Sequence, residues 1–310
     1  MHAPVPDARL IRSPLDRYAM ASGATSTLEA VVLLAGIVRQ APIDRASRRS
    51  RLDLPLRVDR TLGQTWRERV AGLRRTLGRP ALRLIVSTNA TAGVPAGMES
   101  WEHATVQVDR EIRGSGGALR DVTESMDPSS HVLIAPGNAL PRESLEAVLA
   151  SMTDCPADVV VQTTPAGAPT GFFRIRCAVL AGVASRGFID LKEQLLPQLA
   201  ARFDVRVVST ALAAPLPIRS LDGYIRALRW AAHDGVLEGR DEAEDWEFTF
   251  AIAESQAAVH PSARLHDSVV LSGGAVAAQA LAVRCLVGPG GTVKAGESCF
   301  DQLVGEGVEE

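Results

Sequence analysis

Read in steps of six from Val259, the C-terminal tail falls into VHPSAR, LHDSVV, LSGGAV, AAQALA, VRCLVG, PGGTVK and AGESCF. The first positions are Val259, Leu265, Leu271, Ala277, Val283, Pro289 and Ala295. The fifth positions, Ala263, Val269, Ala275, Leu281, Val287, Val293 and Cys299, are all apolar. A fixed period constrains a fold more tightly than local propensity does, because each step can bury its apolar residue only by stacking on its neighbours. Glycines and small residues fill the corners, as a six-residue β-helix repeat requires. Three steps make one triangular coil, so the tail predicts a little over two coils. Its open ends call for docking on the preceding domain or on another subunit.

Upstream, apolar strands alternate with amphipathic helices. "EAVVLLAG" (29–36), "ALRLIVST" (81–88), "ATVQVD" (104–109), "HVLIAP" (131–136) and "ADVVVQTT" (157–164) read as strands. "GFFRIRCAVL" (171–180) and "DVRVVST" (204–210) read as two more. Residues 62–78 place Leu62, Trp66, Val70, Leu73 and Leu77 on one helical face, and 114–126 is a glycine loop opening a helix. Helices are also predicted over 142–152, over 190–203 with Asp190 and Glu193 as a capping box, and over 220–234. Such alternation predicts a mostly parallel, doubly wound α/β sheet whose ligands sit at the carboxyl ends of the strands. The loops after Gly36 and Pro136 are therefore the places to search. The chain divides into a tail (1–28), the α/β domain (29–235), an acidic linker (236–258) around "EGRDEAEDWE", and the repeat with its tail (259–310).

Composition excludes several classes. A net charge of −3 and a pI near 6.1 give no electrostatic footprint for nucleic acid. The arginine run "RASRRSR" (45–51) reads as a solvated loop. Cys155, Cys177, Cys285 and Cys299 are scattered, without the spacing of a zinc site or a disulfide framework. The first 28 residues lack an apolar signal core, and the longest apolar run, 30–38, is too short to span a membrane. A cytoplasmic, reduced, soluble chain with no nucleic-acid or membrane partner is expected. Trp66, Trp101, Trp230 and Trp246 are too isolated for a base-stacking platform and read as packing.

Taken in order, "AVVLLAG", "GSGGALRD", "APGNAL", "GFIDLKEQLLPQL" and "VHPSARL" resemble the sugar-1-phosphate nucleotidyltransferases, the NDP-sugar pyrophosphorylases that include mannose-1-phosphate guanylyltransferases. The resemblance covers roughly residues 30–300. It implies a doubly wound, Rossmann-like nucleotidyltransferase domain followed by a short left-handed parallel β-helix. The family joins a nucleoside triphosphate to a sugar phosphate and releases pyrophosphate. That reaction uses a glycine loop for the triphosphate, a basic residue, and two carboxylates holding Mg²⁺. Carried over by resemblance, Leu34, Ala35 and Gly36 are what remains of the triphosphate loop. Gly114, Ser115, Gly116 and Gly117 stand where the family's loop lies against the nucleobase, and Asn138 stands where one metal-binding acid would be. These eight are the nucleotide-binding candidates.

What the family needs and this chain lacks is equally specific. Ile37 and Val38 carry branched Cβ atoms where close backbone approach is required. The lysine has no clear counterpart, with Arg51 or Arg57 as substitutes of charge. Asn138 replaces one metal-binding acid and Pro217 the other, and the excursion that grips the sugar phosphate shrinks to a short Pro/Gly link at 164–170. The expectation is a non-catalytic relative with no catalytic or metal residues. It would bind a nucleotide or NDP-sugar as a sensor or regulatory subunit, as a homo-oligomer or a hetero-oligomer with an active relative. The alternative is a divergent active enzyme drawing on acids such as Asp109 or Asp121, and only that reading calls for Mg²⁺. A minor alternative, a β-helix acyltransferase, has His260 and His266 as its base candidates.

Overall fold

The computed structural model describes residues 28–232 and 249–305. The predicted tail and most of the acidic linker lie outside those residues, as does Trp246. Strands β1 (Leu28–Leu34), β4 (Arg83–Asn89), β5 (Ala104–Asp109), β6 (His131–Ala135), β8 (Val159–Thr163), β9 (Pro169–Arg176) and β10 (Val205–Ser209) form one sheet in the order β10-β8-β9-β6-β1-β4-β5. Short pairs β2 (Pro55–Arg57) with β3 (Arg60–Thr61), and β7 (Ala139–Leu140) with β11 (Leu216–Pro217), flank it. The centre of β1, Val31–Leu33, is fully buried, as expected of a strand covered on both faces.

One apolar cluster covers one face through α2 (Leu62–Leu77), α4 (Leu145–Thr153) and α7 (Leu221–Ala232). A second joins α3 (Gly114–Thr123), α5 (Cys177–Leu180) and α6 (Leu196–Ala200) on the other. A short helix, α1 (Pro42–Ser47), follows β1. Helix α2 begins at a reciprocal cap, in which Thr61 Oγ1 accepts from the Gln64 amide and Gln64 Oε1 accepts from the Thr61 amide. It ends at Gly78 in the left-handed conformation. Trp66 anchors this helix, fully buried, with its indole N–H donated to the Ala139 carbonyl at 3.1 Å.

The expected doubly wound, Rossmann-like architecture is corrected at β9. This strand runs antiparallel to both β6 and β8, so the sheet is mixed. The cause is the short link. Gly167, at φ 82°, donates to the Thr164 carbonyl, and Thr164 donates to Ala168, which closes a hairpin. A parallel return would need a crossover of a dozen residues or more. Along 190–203 the predicted helix is a π-type turn, Leu191–Leu195, followed by α6. Asp190 caps it through Lys192 and Glu193 amides, and Gln194 rather than Glu193 accepts from the Asp190 amide.

The six-residue coil is corrected as well. The tail consists of three short parallel sheets of four, three and three strands that the chain visits in rotation. They are β12 (Ala251–Ala253), β15 (Ser268–Val270), β18 (Leu286–Val287) and β21 (Leu303–Val304); β13 (Ala258–Val259), β16 (Ala275–Val276) and β19 (Thr292–Val293); and β14 (Arg264–His266), β17 (Leu281–Val283) and β20 (Ser298–Phe300). Partners such as Val269 and Leu286, or Ala275 and Thr292, lie 17 residues apart rather than the 18 that three sixes would give. The buried row runs Val270, Val276, Ala282, Val287, Val293 and Cys299 in steps of six, six and five. The shortened step is the corner between β14 and β15, where Asp267 alone turns the chain at φ 47°. Arg284 and Asp301 repeat it at 51° and 54°. The predicted apolar register therefore matches this row only over Val287, Val293 and Cys299. The stack also starts inside the predicted linker, at Ala251.

The stack docks on α1. A Cβ on Gly288 would lie 1.8 Å from the Ala46 carbonyl oxygen, so only glycine permits the approach, and Gly305 faces the same carbonyl. Arg49 adds a two-point ion pair to Glu254, whose second oxygen also takes the Ser272 amide. No helix among the described residues is long and apolar enough to cross a membrane.

His131 opens β6 opposite Arg176. Burial, and then the charges of Arg174 and Arg176, push its imidazole down to about 4. The ring stays neutral in the fold while its unfolded counterpart, near 6.5, takes a proton, so the fold loses stability as pH falls from 6.5 towards 4. Above that window the contribution is complete. Allowing for solvent screening, the loss is about 1–2 kcal/mol. Urea midpoints between pH 4 and 7 are expected to fall less steeply in a His131→Gln variant. Parallel pH profiles for variant and parent would show that this ring is not the source.

Candidate functional site

Loops at the carboxyl ends of β1, β4 and β5 enclose a cleft of about 150 Å³. Of the eight predicted nucleotide residues, Leu34, Gly36, Gly114 and Ser115 line it. Ala35, Gly116 and Gly117 are buried behind its wall. Asn138 lies outside the lining and donates its amide to the Ala35 carbonyl at 2.9 Å.

The first three amides after β1 are all spent within the protein. Ala35 and Gly36 both donate to the Ser87 carbonyl, at 2.8 and 3.2 Å. The Ile37 amide donates to Asn89 Oδ1, and Asn89 Nδ2 returns a bond to the Ile37 carbonyl. Asn89 Oδ1 also accepts from Ala92, so this one side chain staples the β1 loop to the β4 loop. It escaped the sequence reading, although an asparagine closing the apolar run "RLIVSTN" is the kind of strand-end polar group that positions a site.

The glycine stretch is explained by packing. A Cβ on Gly114 would meet the Ile189 carbonyl at 2.6 Å, and the Gly116 amide donates to that same oxygen at 2.8 Å. Ile189 donates in turn to the Arg113 carbonyl, so Gly114 and Gly116 admit the Ile189 backbone, while the space beside Gly117 is taken by the Arg113 side chain. Phe188, 48 % exposed, is the aromatic residue in the cleft lining.

The acids around the cleft are all held by protein donors. Asp109 accepts from the Glu111 and Arg113 amides and the Arg113 side chain. Asp121 pairs with Arg113 and Arg120. Asp190 takes two amides and the Ser115 hydroxyl. Pro217, in β11, contributes no side-chain ligand, and among the described residues no three His, Cys, Asp or Glu side chains converge. The substitute cations are engaged too. Arg51 is buried and paired at two points with Asp44, at 2.6 and 2.7 Å, and Arg57 donates to the Ala231 carbonyl. His260 is exposed against Ser262, while His266 lies beside buried Asp267, so the two form no common site.

A second and larger cleft, about 590 Å³, is lined in part by residues that follow β4. Helix α1, the turn after it and residues 90–94 form its walls. The run read as a solvated loop supplies Arg45, Arg48 and Arg49 to it.

No family model and no curated protein matches the chain. Solved structures that resemble it include the homolog of Mycobacterium tuberculosis rv0371c from mycobacterium sp. strain JC1. It is 19% identical with a TM-score of 0.46, over 66% of this chain and 96% of that one. HddC from Yersinia pseudotuberculosis is 13% identical with a TM-score of 0.47, over 65% and 98%. Rv0371C from Mycobacterium tuberculosis H37Rv, in complex with manganese, is 18% identical with a TM-score of 0.45, over 65% and 98%. At these values the likenesses say nothing of what this chain binds.

Proposed function

We propose that this chain is a non-catalytic relative of the sugar-1-phosphate nucleotidyltransferases. It binds a nucleotide or NDP-sugar at the strand-end cleft and serves as a regulatory or sensing subunit in sugar-nucleotide or polysaccharide metabolism, as a homo-oligomer or beside an active relative. The observation that carries this reading is that the polar side chains at and around the catalytic positions are engaged in structural bonds. Asn138 holds Ala35, Asp109 and Asp190 hold loop amides, and Arg51 holds Asp44. Carboxylates committed to backbone N–H groups are poor partners for Mg²⁺, whose octahedral shell tolerates little distortion. What remains at the cleft suits a base: the apolar edges of Leu34, Ile37 and Phe188, with Ser87 and Thr88 between them.

The test is calorimetric titration with nucleoside triphosphates and NDP-sugars, with and without Mg²⁺, alongside a pyrophosphate-release assay. Binding that changes less than about threefold with the metal, and no release, is the expected result. Robust pyrophosphate release would overturn it in favour of a divergent enzyme. Light scattering is expected to show more than one copy per particle, and a strict monomer would count against the subunit role.

A further inference from the structure

We propose that Cys285 and Cys299 form a redox-active pair, a site of reversible oxidation at which a peroxide closes a disulfide across the last coil of the stack. The site is separate from both clefts and does not depend on a nucleotide binding. Far from any spacing motif in the sequence, the two thiols meet in the fold with their sulfurs 3.2 Å apart. A disulfide bond is about 2.0 Å long, so closure takes about 1 Å of movement shared between two side chains.

The repeat accounts for the meeting. Cys299 is the centre of β20 and pairs with Ala282 of β17, one coil below. Cys285 follows the left-handed corner at Arg284, which turns the chain back before β18. Both side chains belong to the apolar cluster inside the stack, at 0 % and 3 % exposure. The remaining cysteines lie elsewhere, Cys177 against Ser130 and Met126 and Cys155 just beyond α4.

Hydrogen bonds set the two sulfurs against each other and lead outward. Cys285 donates to Cys299 Sγ, and Cys299 donates to Gln302 Oε1 at 3.1 Å. Gln302 is exposed, and β20 and β21 are the outer strands of their sheets. Cys299 is therefore the sulfur that a small oxidant reaches when the terminal coil frays. Burial, and then the hydrogen bond from Cys285, push the Cys299 thiol up to about 12, so the pair is stored protonated and the first step is slow.

One peroxide balances the reaction. The Cys299 sulfur, its proton lost to water, attacks a peroxide oxygen, the O–O bond breaks, and the departing hydroxide takes up a proton and leaves as water. The Cys285 sulfur, already in contact, then attacks the sulfur of the resulting sulfenic acid. The S–O bond breaks, the second oxygen leaves as water with the Cys285 proton, and each sulfur has given up one electron. The new bond closes a loop that holds β18, β19 and Gly288, the glycine seated on Ala46. Oxidation thus pins the part of the stack that docks on α1.

The test is hydrogen peroxide added to the fully reduced chain, followed by alkylation of the remaining thiols and peptide mapping by mass spectrometry without reduction. Peptides carrying Cys285 and Cys299 are expected to be joined, lighter by two hydrogens, and to separate with dithiothreitol. The oxidised chain is expected to leave about tenfold fewer molecules unfolded, or better, at a given urea concentration, as closing a loop of this length does. Cys285→Ala and Cys299→Ala should each abolish both responses, and where a variant fails to fold, mapping of the parent decides. Four results would each overturn the proposal: sulfinic acid at either position without a crosslink, crosslinks through Cys155 or Cys177 instead, a pair still fully alkylated after prolonged peroxide, or a crosslink that brings no stabilisation.

Discussion

Substituting Gly288 by alanine is expected to destabilise the protein by about 3 kcal/mol or more, at the upper end of what overpacking costs. The added methyl would sit 1.8 Å from the Ala46 carbonyl oxygen, a separation no side-chain rotation relieves because both atoms are fixed to backbone. Either α1 moves, which disturbs the buried Asp44–Arg51 pair, or the stack lifts away and exposes Leu286 and Leu271. For a protein of this size the melting temperature should fall by roughly 5 °C or more. A Gly296→Ala variant is a useful comparison. Unlike Gly288, its glycine has positive φ, and nothing lies within 4 Å of the added atom, so only backbone strain of about 1–2 kcal/mol applies. Equal losses in the two variants would show that the α1 contact is not the tight joint the geometry implies.

The second large effect is expected at Asp267. This carboxylate is fully buried, accepts twice from Arg229 on α7, and takes the Phe250 amide where the chain enters the stack. Replacing it by alanine leaves a half-buried guanidinium and an amide without their acceptor, at a cost of about 3–5 kcal/mol. Asparagine keeps the shape and tolerates the left-handed corner, so Asp267→Asn should lose roughly half as much. Urea unfolding of both variants against the parent measures this. A loss below about 1 kcal/mol for alanine would mean that the Arg229 contact contributes little beyond solvent-exposed pairs.

Much of the sheet was legible because its strands are buried on both faces and so read as unbroken apolar runs, as in "EAVVLLAG" and "HVLIAP". The α2 helix was legible for a comparable reason, since its Leu62, Trp66, Val70 and Leu73 stripe and its Thr61 cap agree. Strand direction was not, because "GFFRI" has the same composition whether it runs with or against its neighbours. Only the length of the 164–168 link distinguishes the two cases. The repeat was visible but misjudged by one residue per turn. A corner made by a single left-handed residue such as Asp267 leaves no mark in an apolar count, and a row of small residues fits more than one register.

At the candidate site the residue types were readable and their uses were not. Asn138 was noticed as an amide in place of an acid, yet its bond to Ala35 depends on how closely two strand ends approach. The glycines of 114–117 were noticed as room for a ring, and the room at Gly114 and Gly116 is taken by Ile189, about seventy residues further on. The arginine run was dismissed because charge runs are ordinarily solvated. Concavity comes from residues 90–94, which no local pattern connects to it.

Helix α1 is only six residues long, too short to hold its own direction in water. Its bearing is set instead by a glycine column near the end of the chain, where Gly288 and Gly305 meet the Ala46 carbonyl from successive turns. Arg45 and Arg48 lie on either side of Ala46 in the sequence, so the placement of the two cations depends on β architecture far along the chain.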